Sequence, residues 1–368
     1  MRITFVLPTF SSALPIGGYK VHYEYANRLS RRGHAVTIVQ PVLDPVHAEA
    51  RRIKVYYRRL RHIARSSRRL RWFQLDASVN LKLVFSVSPR HLPRADVLIA
   101  TGWETVQFAT AQGPAKGSPL YVVYDYERLQ MADAATRRQI EATYTQQLHA
   151  VATSSVVSEV LTAHGVSPLA TIPCGVDFTV YHLVGPLHDR PRLVGFPARL
   201  APDKGLSDVL EAMKQVRAAN PEENVCAVAY GPVCPSALPS WVHFIERPTD
   251  QEIAGLLNEC RIFVVPSYYE AWGLPAIEAM ACGAALVTYD NGGSRDYAID
   301  EVTALVARPR NPTALAAQIN RLLDDDHLRC EVARAGCSHV QRYDWDRAVA
   351  ALESCLISLV GGDRDTAA

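Results

Sequence analysis

Short apolar runs alternate with segments of helical period along most of this chain, and that rhythm commits it to parallel α/β architecture. Residues 2–7 (RITFVL) read as a buried strand, 21–32 as a helix closed by Gly33, and 35–39 (AVTIV) as the next strand. The rhythm returns at 97–100, 120–124 and 149–153, each followed by a polar loop or helix. Residues 172–191 (IPCGVDFTVYHLVGPLHDRP) carry proline and glycine without clear periodicity and read as a linker. A second rhythm then sets strands at 192–196, 225–230, 242–245, 262–266 and 284–288, and 313–359 reads as mainly helical. The last residues, GGDRDTAA, read as a frayed tail.

A chain of 368 residues exceeds the size at which one core keeps growing, so two domains are expected. A net charge of +2 with 21% charged residues excludes a global bias toward nucleic acid or membranes. The eight cysteines are scattered without a C-x-x-C pair, which suits free thiols in a reducing cytoplasm. The N-terminal apolar run ends at Pro8, too short for a signal-peptide core, and no uninterrupted apolar run approaches 18 residues. Neither export nor a membrane span is therefore expected.

The most informative segment is SYYEAWGLPAIEAMACG, residues 267–283, which follows the apolar strand RIFVVP. Gly273 supplies a turn, Pro275 stands where a first helical residue belongs, and Gly283 where the helix should be capped. Glu270 then lies on the loop and Glu278 inside the helix. The backbone amides of Gly273 and Leu274 would point out of the helix N-terminus, where unpaired donors and the dipole favour an anion such as a diphosphate. Taken alone, Glu278 could simply complement the helix dipole and Glu270 could be a solvated loop residue.

The pair is not alone. The spacing Glu-x7-Glu within E-x-W-G-L-P-A-I-E-A-M-A-C-G closely resembles the signature of the family 4 retaining glycosyltransferases. That resemblance implies the GT-B fold, two Rossmann-like domains with parallel sheets facing an interdomain cleft. It implies that GFPARLAPDKGLSDVL (195–210) supplies Arg199 and Lys204 to the donor diphosphate. Gly17 and Gly18 would sit in the loop after the first strand, close to the donor phosphates and sugar. Glu270 would face the transferred sugar and Glu278 the ribose. The loop of Glu246, Arg247 and Pro248 would touch the base through backbone groups. ATSSVVSEVL (152–161) and IPCGVD (172–177) are similar to family segments, with Cys174 where asparagine is common. DWDRAVAALESCL (344–356) resembles the terminal helix that crosses back to the N-terminal domain. The implied domains are 1–185 on the acceptor side, joined by a helix at about 345–360, and 186–344 for the donor, with 361–368 a flexible tail.

One departure stands out. Many members place a histidine near the donor sugar, where this chain has YVVYDYERLQ (121–130), so Asp125 and Glu127 become candidate contacts to sugar or acceptor. A carboxylate capping the following helix is an equal reading of Asp125. Asp125-x-Glu127 also invites a metal-binding reading of the GT-A kind; the further matches Asp324-x-Asp326 and Asp344-x-Asp346 lie in the C-terminal helical region and read as solvated, no HExxH, Cys/His cluster or EF-hand spacing supports a metal, and none is expected.

Residues 51–71 (RRIKVYYRRLRHIARSSRRLR) hold ten lysines and arginines among Tyr56, Tyr57, Leu60 and Ile63. The segment is either a solvated face or a contact to an anionic acceptor or membrane surface; nucleic acid is not expected. The resemblance thus implies metal-independent, retaining transfer from a nucleoside diphosphate sugar, UDP first with GDP or dTDP as alternatives, to a hydroxyl-bearing acceptor. It needs no further cofactor. The expected setting is the cytoplasm, with peripheral attachment to the inner membrane face as an option. A GT-B epimerase, a phosphorylase or an inactive nucleotide-sugar binder are the rival readings.

Overall fold

The computed structural model describes residues 1–9, 17–41, 70, 72–84, 87–112, 114–146, 148–223, 225–236 and 238–366. The basic segment 51–71, apart from Leu70, lies outside them. Two compact units form. The first comprises Met1–Thr153, Val157–Ile172 and Asp346–Ala368; the second comprises Ser154–Val156 and Pro173–Trp345. Among the described residues no helix is long and apolar enough to cross a membrane.

The first unit is built on β1 (Arg2–Val6), β2 (Ala35–Pro41), β3 (Asn80–Val84), β4 (Val97–Ala100), β5 (Ser118–Val123), β6 (His149–Ala152) and β7 (Ala170–Thr171). They pair in the order β3-β2-β1-β4-β5-β6-β7, parallel throughout. Phe5 lies in register between Ile38 and Ile99, and all three are fully buried. Cover on both faces is why these strands read as continuous apolar runs instead of alternating ones.

The first helix spans Gly17–Arg31 and starts four residues earlier than the expected 21. Gly17 and Gly18, expected in the preceding loop, are its first turn. A helix's first amides need no intrahelical partner, so two glycines there forfeit little.

The closing helix, Trp345–Thr366, returns to the first unit as expected. Its Asp346 pairs with Arg28 at 3.1 Å, and its Glu353 with Arg32 and His34, each at 2.7 Å. Val349, Leu352, Leu356 and Leu359 are buried at helical spacing. Residues 361–366, expected as tail, continue this helix. The chain enters the second unit at Pro173, ahead of the expected 186. The cause is local: Val176 donates its amide to the Tyr343 carbonyl at 2.8 Å and bridges Asp344, which fixes this linker-like stretch to the second unit.

The second unit carries β8 (Leu193–Pro197), β9 (Cys226–Gly231), β10 (Val242–Glu246), β11 (Ile262–Val265), β12 (Ala285–Tyr289) and β13 (Leu305–Ala307) in the order β10-β9-β8-β11-β12-β13, again parallel. Each of the five strands read from sequence lies within one residue of its expected limits. Val194, Phe196, Val264, Val287 and Leu305 are fully buried in its core with Val209, Leu315 and Ile319 from the helices. Strand order reverses between β8 and β11, and the carboxyl ends of the strands at such a switch point are where open α/β sheets bind ligands.

Candidate functional site

The carboxyl ends of β8 and β11 bring the expected residues together. Arg199 and Lys204 follow β8; Lys204 ends the short turn Pro202–Lys204. Gly205 then adopts φ +63°, and a Cβ there would lie 2.1 Å from the Pro266 carbonyl oxygen. Only glycine allows the two loops to approach this closely. Tyr268 donates its amide to the Asp203 carbonyl at 2.7 Å, which fastens one loop to the other.

Lys204 Nζ lies 3.0 Å from Glu270 Oε1 and 3.3 Å from Asp203 Oδ2, and donates to the Tyr269 carbonyl at 3.4 Å. Glu270 is therefore no solvated loop residue; its side chain is only 16% exposed. Burial works to raise its carboxyl, but Lys204 and Arg199, with hydrogen bonds from Lys204 and Ser267, hold it below the ordinary range. Arg199 itself is exposed and makes no ion pair among the described residues, while its charge reaches both Glu270 and Tyr230.

The Glu270 backbone is held by a segment the sequence reading did not single out. Its amide donates to the Asn291 carbonyl and its carbonyl accepts from the Gly293 amide, both at 2.9 Å. A Cβ at Gly293 would meet the Ala271 carbonyl carbon at 2.7 Å. The signal was the Asn-Gly-Gly run after β12, residues 291–293, visible as a turn but not as a support for Glu270, more than 20 positions earlier.

The helix Leu274–Ala281 follows at once, with Gly273 as N-cap at φ +106° and Pro275 in its first turn. A Cβ at Gly273 would stand 2.5 Å from the Tyr297 hydroxyl, which donates to the Trp272 carbonyl at 2.9 Å. The end of the helix carrying the Gly273 and Leu274 amides is thus fixed beside Glu270. Glu278 is one turn in and 7% exposed. Its negative charge adds to burial in raising the phenols of Tyr181 and Tyr230 and in pushing the Cys282 thiol up to about 12.

Arg247 lies further along the same rim, just after β10. It has a left-handed backbone, φ +52°, an uncommon state for a residue with a side chain. Its amide donates to the Gly231 carbonyl and its Nε to the Pro232 carbonyl, each at 2.9 Å, linking the ends of β9 and β10.

The remaining candidates belong to the first unit. Gly17 and Gly18 head the first helix. Glu127 is half-buried in the first turn of Tyr126–Met131. Asp125 precedes that helix but makes no side-chain cap to it. Its carboxylate instead accepts from the Trp103 amide at 2.9 Å and from the Tyr121 hydroxyl. Burial and the nearby Glu104 raise this carboxyl to about 7. Among the described residues no group of three or more His, Cys, Asp or Glu side chains is arranged to hold a metal. Asp326 is engaged by Arg261 at 2.9 Å and by Arg329 at 3.1 Å.

The second unit's geometry, a cation pair and a carboxylate beside a helix N-terminus at a switch point, suits a phosphorylated ligand. Residues 182–338 match the family of glycosyl transferases group 1. The D-inositol 3-phosphate glycosyltransferase of Salinispora tropica is 30% identical over 180 residues, 44% of this chain and 37% of that protein. The glycogen synthase of Mycobacterium tuberculosis is 28% identical over 183 residues, 46% of this chain and 43% of that protein. The matches span less than half the length of these curated relatives. Among solved structures, the sucrose-phosphate synthase of Thermosynechococcus elongatus superposes with a TM-score of 0.74 at 18% identity, covering 98% of this chain and 99% of that one. Anabaena HepE in complex with UDP-glucose superposes with a TM-score of 0.75 at 17% identity, covering 97% and 100%. The fold is GT-B.

Proposed function

With residues 182–338 belonging to the group 1 glycosyl transferases, we propose that the chain transfers a sugar from a nucleoside diphosphate to a hydroxyl acceptor with retention of anomeric configuration. The observation that carries this reading is the Lys204–Glu270 pair, 3.0 Å apart beside Arg199 and the N-terminus of Leu274–Ala281. The cations and helix amides face the donor diphosphate, Glu270 the sugar, Glu278 the ribose, and the loop of Arg247 the base. Gly17 and Gly18 lie by the phosphates and sugar. The first unit takes the acceptor, with Asp125 and Glu127 as its contacts to sugar or acceptor. UDP is the favoured nucleotide, supported by the likeness to a structure that contains UDP-glucose.

In the reaction the bond from the anomeric carbon to the diphosphate breaks, and a bond to the acceptor oxygen forms on the same face. The hydroxyl proton passes to an oxygen of the departing phosphate. Negative charge gathers on that group, where Lys204 and the helix terminus are held in place before it develops and Arg199 adds its charge. This arrangement does the electrostatic work of a divalent ion.

Incubation with UDP-, GDP- and dTDP-sugars and hydroxyl acceptors in EDTA, followed by NMR of the product's anomeric centre, tests the proposal. A glycoside of retained configuration is expected. A free epimerised sugar nucleotide would identify an epimerase, sugar phosphate formed only with inorganic phosphate a phosphorylase, and activity restored by manganese a metal-dependent enzyme; each overturns the reading.

A further inference from the structure

Asp208 opens the helix Leu206–Ala219, four residues beyond Lys204, and is 9% exposed. Each carboxylate oxygen accepts a different phenol: Oδ1 takes the Tyr268 hydroxyl at 2.9 Å and Oδ2 the Tyr289 hydroxyl at 3.0 Å. Ser207 Oγ adds a longer contact of 3.4 Å to Oδ1. The two rings stack at 6.1 Å, and the Arg310 guanidinium lies over Tyr268 at 4.3 Å from its centroid. Burial and Asp208 together raise the Tyr268 phenol, so it stays a donor.

Tyr268 stands two residues before Glu270. Its backbone is tied to Asp203, the neighbour of Lys204, and its side chain to Asp208 in the helix that Lys204 leads into. The loops of Lys204 and Glu270 are therefore joined twice through one residue, to positions that precede and follow Lys204 in the sequence. A buried carboxylate satisfied by two neutral hydroxyls is a costly way to fill a core, and apolar residues of similar volume often serve stability better. What the polar bracket adds is a fixed register between the two loops.

We infer that Asp208 is a positioning residue that, through the Tyr268 hydroxyl, sets the distance between Lys204 and Glu270 during glycosyl transfer. The inference rests on the proposed function for its kinetic consequence but not for its structural one. Neither Asp208 nor Tyr268 touches the reacting atoms; they act by holding those that do.

The test compares Tyr268→Phe and Asp208→Asn with the wild-type chain, well below each variant's melting temperature. Amide exchange should rise together in 203–205 and 267–270, and kcat should fall about tenfold to 100-fold, the order expected for a misplacement near 1 Å, with donor KM changed less than about threefold. Tyr268→Phe removes only the hydroxyl, so it guards against a variant that fails to fold. Unchanged exchange in both segments, or exchange rising in one alone, overturns the inference whether or not the wild type transfers sugar. A normal kcat with lowered melting temperature overturns it too, leaving a packing role. A wild-type chain inert toward every nucleotide sugar, with paired exchange still present, would count against the proposed function and leave the bracket standing.

Discussion

Lys204 Nζ lies 3.0 Å from Glu270 Oε1, so the cation assigned to the donor diphosphate also neutralises the carboxylate assigned to the sugar. Removing Lys204 thus does two things. Lys204→Ala should lower turnover by about 100- to 1,000-fold, as loss of one oxyanion-type donor does. It should also lower stability, because Glu270 is left enclosed without its partner. Arg199→Ala should lower turnover to the same order with little change in melting temperature, since Arg199 is exposed. Steady-state kinetics beside thermal melts of both variants check this; equal melting losses would contradict the distinction.

The two glutamates should separate by ligand. Loss of a hydrogen bond to a charged group costs about 1.5 to 3 kcal/mol, so Glu278→Gln should weaken binding of free UDP roughly 10- to 100-fold. Glu270→Gln should leave UDP affinity nearly unchanged and reduce kcat, as a contact that strengthens only when the sugar gains positive character would. Calorimetric titration with UDP, beside turnover with the whole donor, reads both effects. A reversed order would refute the assignment.

Asp125 should make stability fall as pH rises. Its carboxyl goes from an ordinary 3.8 to about 7 in the folded chain. Between those values the folded state keeps a proton that the unfolded state releases. The contribution is therefore fully present below the lower value and gone once pH has passed through about 7. Asp125→Asn cannot titrate. Urea denaturation at about pH 5 and about pH 8 should show a smaller difference for the variant than for the wild type. Equal differences would mean that Asp125 ionises normally.

The sequence 51–71 carries ten cations in 21 residues and should bind an anionic acceptor or anionic membrane. Replacing five of its arginines by glutamine should raise acceptor KM, flatten its salt dependence or abolish binding to vesicles containing phosphatidylserine. If all three stay as in the wild type, the segment is a solvated face.

Much of the fold was legible because its centre is simple: β8, β11 and β12 are buried on both faces, and such strands appear as plain apolar runs. Strand β3 escaped because it lies at the sheet edge, and its sequence, NLKLV, includes a lysine whose Nζ donates to the His91 carbonyl. At the site, the family resemblance pointed to Lys204 and the Glu-x7-Glu spacing to Glu270, but 66 positions divide them, and no local pattern reports that they pair. Asp125 failed as a helix cap for the same reason. Its partner is the Trp103 amide, 22 residues back, and the raised carboxyl follows from enclosure beside Glu104, a tertiary fact.

The return of Trp345–Thr366 to the first unit has a consequence for synthesis on the ribosome. Glu353, which anchors that helix to Arg32 and His34, is made about 320 residues after the partners it must find. The second unit's strands all emerge before it does. A nascent chain must therefore hold its first unit without the apolar face of Val349, Leu352 and Leu356 until that helix has been made. Of the two units, the one begun first is thus the later to have all of its residues.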